Sequence, residues 1–245
     1  MQREHLPAAL AAGALAAATV ALVALSLRRP RPPEYPPTPA GPGAEAGATL
    51  VGPRTVTIDA SDPDAWRFFD FSRGAILDRP GPLDWDIAVR RYHIIANGGP
   101  GFPGTAAIAR LDETPFDAVT AAPDAGYQPT LVAGSDSTNP ATRRWYRYSF
   151  TSHLLTPRPA TYVARTADGR YAKFEILSYY CPGARPGCLT LRYVYQGDGS
   201  RHFTPATAPA TPPGRSPAPP ATRPAARPAP ARQPGPPRTG PDPAG

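Results

Sequence analysis

The stretch YAKFEILSYYCPGARPGCLTLRYVY, residues 171–195, contains two long runs of strand-forming residues joined by a short loop. Its first part alternates apolar and polar side chains, and its last part alternates again from Leu189 onward. Alternation with a period of two is typical of a β-strand that has one face in the core. Cys181 and Cys188 bracket the loop between the two parts and would face one another across a hairpin. The stretch therefore predicts an antiparallel hairpin closed by a disulfide.

Further short runs of strand-forming residues recur along the chain, separated by clusters of Gly, Pro and Asp. They are residues 55–58, 66–71, 86–96, 105–111, 145–155 and 162–166. No amphipathic helix of comparable length lies among them. We therefore expect an all-β fold, a mostly antiparallel β-sandwich or open barrel.

Composition divides the chain into four segments. Residues 1–27 form a hydrophobic signal anchor or signal peptide, and residues 28–52 form a proline-rich, semi-rigid spacer. Residues 53–203 form the β domain. Residues 204–245 contain almost only Pro, Ala, Arg, Gly and Thr, with no aromatic residue to bury. We expect this tail to be disordered, because it cannot offset the entropy lost on ordering.

The net charge of +7 lies mostly outside the β domain. Residues 53–203 carry 17 Lys and Arg against 15 Asp and Glu. Charge on extended flanks favours loose contact with acidic polymers or anionic lipid. The domain shows no basic run interleaved with aromatic residues, so we expect no specific nucleic-acid binding.

The N-terminal segment and the two cysteines predict the compartment. Residues 6–27 contain no charge and are long enough to cross a bilayer core. The arginines at 28, 29 and 31 conflict with export under the positive-inside rule. The cysteine pair favours export, because two cysteines make a poor zinc site and a disulfide is typical of the periplasm or cell exterior. We therefore expect the domain on the periplasmic or outer side of the cell envelope, anchored by or secreted through residues 6–27.

Three stretches together resemble the HmuY family: DWDIAVRRYHIIANGG at 84–99, YVARTADGRYAKFEILSYY at 162–180 and LRYVYQGDGSRHF at 191–203. The resemblance implies an all-β fold. It also implies a secreted or surface-held hemophore that takes heme and passes it to an outer-membrane receptor. Hemophores of this family hold iron through two axial side chains, which are His in one group and Met in another.

The supply of axial ligands is small, because Met1 is the single methionine. The resemblance therefore leaves His153, His93 and His202 as heme-ligand candidates, in bis-histidine or His plus Tyr ligation, and no other metal is implied. Aromatic walls and cations for the heme propionates would come from residues near these histidines. The candidates are Trp145, Tyr146, Tyr148, Tyr92, Arg143, Arg144, Arg90 and Arg91.

Some of these residues also fit ordinary structural roles. In a regular strand, His93 would share a face with Ile87 and Val89 and would be a core histidine. Asp84 and Asp86 fit the solvated start of a strand better than a catalytic carboxylate pair. The chain also shows no GxSxG or HExxH motif, so we expect that it is not an enzyme. The rival hypothesis is an envelope interaction domain that keeps the fold without heme ligands, with its tail reaching an envelope polymer or a partner protein.

The stretch WYRYSFTSHLL, residues 145–155, is predicted to carry the functional surface. A regular strand would bury the more apolar set, Tyr146, Tyr148, Phe150 and Ser152. Trp145 and His153 would then lie on the open face, where they could receive a flat aromatic ligand. A bulge near Arg147 would reverse this arrangement.

Overall fold

The computed structural model describes residues 6–27, 30–41, 50–134 and 136–204. Helix α1 (Leu6–Leu27) coincides with the uncharged N-terminal segment. Among the described residues, no helix has the length and apolarity needed to cross a membrane. The predicted tail, apart from Thr204, lies outside the described residues.

The larger sheet is built around the hairpin predicted from residues 171–195. Its five strands, in spatial order, are β1 (Val51–Asp59), β13 (Arg185–Gln196), β12 (Tyr171–Cys181), β11 (Ala160–Arg165) and β6 (Ala107–Asp112). Every pairing between these neighbours is antiparallel. Phe174 pairs with Tyr193 in the hairpin, so the apolar residues of both strands share one face.

A second sheet and two small hairpins complete the fold. The second sheet has the order β3-β2-β4-β5 and consists of β2 (Arg67–Asp70), β3 (Ala75–Leu77), β4 (Ile87–Arg90) and β5 (His93–Ala96). The small hairpins are β7 (Leu131–Ala133) with β8 (Asp136–Thr138), and β9 (Tyr146–Tyr148) with β10 (Leu155–Pro157). Strand β8 contacts β5, which brings one hairpin next to the second sheet.

The main core lies between the two sheets. Phe69 and Val89 of the smaller sheet belong to the same buried cluster as Phe174 and Leu191 of the larger one. The rings of Phe69 and Tyr193 meet edge to face, with centroids 5.4 Å apart. This arrangement confirms the predicted all-β, mostly antiparallel fold.

Asp86 fastens the two sheets to one another. Its buried carboxylate accepts hydrogen bonds from the backbone N–H of Phe71, at 2.9 Å, and of Ala167, at 2.8 Å. Phe71 directly follows β2, and Ala167 comes after β11 in the larger sheet. Burial, and secondarily the charge of Asp70, raises the pKa of Asp86 to about 7. Asp86 is therefore a structural group.

The Asn-Gly-Gly turn is structural as well. The Asn97 amide donates to the carbonyl oxygens of Pro82 and Trp85, both at 2.9 Å. A Cβ at Gly98 would lie 2.1 Å from the carbonyl oxygen of Ala106, and Gly99 has a φ of +111°. Only glycine fits this close approach and this backbone conformation.

The predicted disulfide is present between Cys181 and Cys188, at the end of the long hairpin. Both cysteines are fully buried. The prediction from the loop spacing is therefore confirmed.

Part of the segment predicted as a spacer is bound to the β domain. Residues 33–41, here called the strap, donate three backbone hydrogen bonds to the β domain. These hydrogen bonds run from Tyr35 N to Tyr180 O at 3.2 Å, from Thr38 N to Thr57 O at 2.9 Å and from Gly41 N to Ile76 O at 3.1 Å. These hydrogen bonds attach the strap to both sheets. Residues 33–41 lie within the predicted spacer and contact the β domain.

Two predicted single strands are hairpins instead. Residues 86–96 turn at Arg91, whose φ is +53°, so that Arg90 pairs with His93. Residues 145–155 turn after Tyr148, which pairs with Leu155. The first turn consists of Arg91 and Tyr92, and the second contains Phe150, Thr151 and Ser152. His93 therefore does not share one regular strand with Ile87 and Val89.

Candidate functional site

A pocket of about 350 Å³ lies between strand β5, strand β8 and the start of β9. Residues from three parts of the sequence line it, among them Tyr92, His93, Asp136, Arg143 and Tyr146. Its volume is within the range of small-molecule sites. The structure thus brings an imidazole, two phenols and a guanidinium from the predicted set into one place.

His93 is the imidazole of this pocket. It is half-buried at the start of β5, and its ring stacks on Tyr92 with centroids 4.4 Å apart. Burial lowers the pKa of His93 below its ordinary value and outweighs the opposing effect of Asp136, while Arg90 lowers it further. A neutral imidazole has the lone pair that coordinates a metal, so His93 is in the ligand form at neutral pH.

Tyr146 forms a second aromatic wall. Its ring lies edge to face with Tyr92 and with Trp145, at centroid distances of 5.7 and 5.1 Å. Burial, and secondarily the neighbouring Tyr92, raises the pKa of Tyr146, so the phenol is protonated at neutral pH.

Trp145 supports the pocket and does not lie on the open face, so that prediction was wrong. It is 1% exposed, and its indole N–H donates to the carbonyl oxygen of Tyr92 at 2.8 Å. Its ring also packs on Tyr179. Trp145 precedes β9, so it does not follow the alternation of a strand that was expected to include it. Its hydrogen bond to Tyr92 instead holds the turn that carries Tyr92 and His93.

The four predicted arginines have different roles. Arg90 pairs with Asp136 at 3.3 Å, and Arg91 donates to the carbonyl oxygen of Ser61 at 2.9 Å. Arg143 and Arg144 are both exposed, and Arg143 lines the pocket. Within the described ranges, neither Arg143 nor Arg144 forms an ion pair. Arg143 is therefore placed to meet an anionic group of a ligand.

His153 lies in the β9–β10 turn and does not line the pocket. It is exposed, has a φ of +56° and shares a hydrogen bond between Nδ1 and the Tyr148 hydroxyl at 2.5 Å. Tyr148 is 44% exposed, on the same hairpin. These two residues form a pair of their own, and Trp145 is not beside them as expected because its ring is buried.

His202 lies in another part of the fold. It pairs with Ala121 in an isolated bridge, and its carbonyl oxygen accepts a hydrogen bond from the Gln196 side chain at 2.6 Å. The next residue, Phe203, packs into a separate cluster with Phe116. His202 does not line the pocket that contains His93.

Asp136 and Thr138 also lie on the pocket wall, although the sequence did not predict them. They belong to β8, which has three residues and no apolar alternation. In the sequence, Gly134 lies between the apolar pair Leu131 and Val132 and the acidic Asp136, and a glycine at this place indicates a hairpin turn.

Among the residues that the structure describes, one group of side chains has the spacing of a metal site, namely Asp59 with Cys181 and Cys188. The two sulfurs are bonded to each other, so neither is free to coordinate an ion. This group is therefore explained by the disulfide.

The fold and the pocket define an all-β protein with a half-buried imidazole between aromatic walls. The profile of one family, described as HmuY protein, matches residues 62–193, which is more than half of the chain. The chain belongs to the HmuY family. This result confirms the resemblance found in the sequence.

The chain is similar to several solved structures. The apo HmuY analog of Tannerella forsythia is 20% identical, with 60% of this chain and 96% of that chain covered and a TM-score of 0.47. A candidate HmuY-like heme binding protein from Bacteroides vulgatus is 21% identical, with 63% and 97% covered and a TM-score of 0.49. A comparison with curated proteins gave no match.

Proposed function

We propose that this chain binds heme in the cell envelope and relays it, with His93 as an iron ligand. The pocket of His93 carries the proposal, because it combines a neutral imidazole, aromatic walls and the guanidinium of Arg143. Heme sites use these components for the iron, the porphyrin faces and the propionates. The family of the chain agrees with this chemistry.

The second axial ligand in this proposal is the phenol of Tyr146. It lines the same pocket as His93, whereas His153 and His202 do not. The raised pKa of Tyr146 opposes ionisation in the ligand-free protein. A bound ferric ion would favour the phenolate, since a metal cation stabilises an anionic ligand. The proposal is thus His plus Tyr ligation.

Arg143 would hold the propionates. Its side chain is exposed at the pocket and, within the part of the chain that the structure describes, pairs with no acid. Arg90 is less suited because Asp136 already neutralises it at 3.3 Å. A guanidinium binds a carboxylate through two parallel hydrogen bonds, which makes Arg143 the preferred residue for this role.

The envelope location rests on two features. The buried disulfide between Cys181 and Cys188 is typical of an oxidising compartment. The uncharged helix α1 is typical of a signal anchor or a signal peptide. The partners in this proposal are heme and an outer-membrane receptor or envelope polymer.

A hemin titration of the purified chain tests the proposal. We expect a sharp Soret band that saturates near one equivalent, and the loss of this band in His93→Ala. Tyr146→Phe should keep binding but shift the spectrum, because one axial ligand is removed. His202→Ala is the matched control and should behave like the parent chain.

The same titration distinguishes heme binding from the rival hypothesis of an interaction domain without heme. Broad absorbance without saturation in the parent chain would favour that rival. A saturating band that persists in His93→Ala and disappears in His153→Ala would move the site to the β9–β10 hairpin and would contradict the proposed ligand.

A further inference from the structure

The β9–β10 hairpin ends in an exposed aromatic tip. Phe150 is 84% exposed, the highest value for a large apolar side chain among the described residues. The ring of Tyr148 meets it edge to face, with centroids 5.2 Å apart. Phe150 contributes to none of the buried clusters, so folding does not explain it. A protruding aromatic pair of this kind marks a contact surface.

Helix α1 lies beside this tip. Leu22, Val23 and Leu25 line an apolar cleft of about 340 Å³ together with Phe150 and Thr151. The described side chains of α1 are all exposed, and the helix contains no charged residue. A helix that is apolar on every side requires a nonpolar environment. The domain does not cover α1, so the environment that fits this helix is lipid.

The charges near the tip match an anionic membrane surface. Arg144 and Arg147 precede the tip and are exposed. Neither of the two forms an ion pair with another residue that the structure describes. Each arginine near an anionic lipid surface adds favourable attraction, and aromatic rings are enriched at the level of the headgroups.

We propose that the tip of the β9–β10 hairpin is a membrane-contact site. Phe150 and Tyr148 enter the surface of an anionic bilayer beside the C-terminal turns of α1, and the arginines meet the lipid phosphates. This contact does not require α1 to cross the membrane, and it does not depend on heme binding. It orients the domain so that the hairpin carrying Tyr146 faces the lipid.

Quenching of tryptophan fluorescence by brominated lipid tests the proposal in the full chain. Phe150→Trp would be reconstituted in vesicles of phosphatidylcholine and phosphatidylglycerol with brominated acyl chains. Leu83→Trp is the matched control, because Leu83 is 57% exposed and is not in the cleft beside α1. Val23→Trp reports whether α1 is in lipid. The signal of the three native tryptophans, measured in the parent chain, is subtracted.

We expect strong quenching at positions 23 and 150 and none at position 83. Vesicles without phosphatidylglycerol should give weaker quenching at position 150. The proposal is overturned if position 150 is quenched no more than position 83. It is equally overturned if position 23 is not quenched, because α1 would then not be in lipid.

Discussion

Asp86 gives the protein a stability that depends on pH, and the sign can be stated in advance. Its pKa is raised from 3.8 to about 7 in the folded chain, mainly by burial. Between these two values the folded chain keeps a proton that the unfolded chain releases. The free energy of unfolding therefore falls as the pH rises from about 4 to 7. Below about pH 4 and above about pH 7, Asp86 causes no further change in the free energy of unfolding.

The magnitude follows from the same two values. A pKa difference between 3.8 and about 7 corresponds to roughly 4 kcal/mol, at about 1.4 kcal/mol per pH unit. Asp86→Asn removes the titration and replaces one of the two acceptors with an N–H group. Near pH 4, where the folded parent holds Asp86 protonated, we expect the variant to be less stable than the parent by about 1–3 kcal/mol. Above pH 7 the parent has itself lost roughly 4 kcal/mol by ionising the buried carboxylate, whereas the variant has not, so the variant should there be as stable as the parent or more stable.

Urea unfolding of the parent chain and the variant at several pH values between 4 and 8 measures this effect. Asp84→Asn is the control, because Asp84 is exposed and pairs with Arg73 at 3.3 Å. Surface ion pairs contribute little, so the control should follow the parent at each pH. If the difference between Asp86→Asn and the parent were the same at pH 4.5 and pH 8, the titration assigned to Asp86 would be refuted.

Three further predictions concern stability. Replacing Cys181 and Cys188 with alanine should lower the free energy of unfolding by about 2 kcal/mol, since the ring limits the unfolded chain; denaturant titration measures this, and an unchanged midpoint would contradict it. A chain that ends at Phe203 should melt at the same temperature as the full chain, because the tail lacks apolar side chains; a drop of several degrees by calorimetry would show that the tail packs. A chain that starts at residue 50 should melt lower than one that starts at residue 30, because the hydrogen bonds of the strap are lost; equal melting temperatures would show that the strap adds no stability.

The long strands could be predicted from the sequence because they follow simple alternation. The sequences of strands β12 and β13 alternate apolar and polar residues over much of their length. Strand β4 does not, because Ile87, Ala88 and Val89 are buried in succession and both faces of the second sheet are covered. The turn at Arg91 has no Gly or Asn to mark it. Prediction therefore joined β4 and β5 into one strand.

The chemistry of the candidate site could be predicted in part. The sequence supplied the residue types, and the structure places His93, Tyr146 and Arg143 in one pocket. The sequence could not show that His153 forms a hydrogen bond with Tyr148 or that Trp145 is buried, because both features depend on where a hairpin turns. Asp136 was not predicted as a pocket residue, because its strand has three residues and is too short to show alternation. The positions of these side chains are determined by tertiary packing, which local sequence patterns do not reveal.

Crystals grown with hemin and measured at the iron absorption edge would show where the protein holds the iron. We expect one anomalous peak in the pocket between β5, β8 and β9, within coordination distance of an imidazole nitrogen of His93. A peak at His153 or His202 instead, or no ordered iron in crystals that contain hemin, would contradict the proposed heme site.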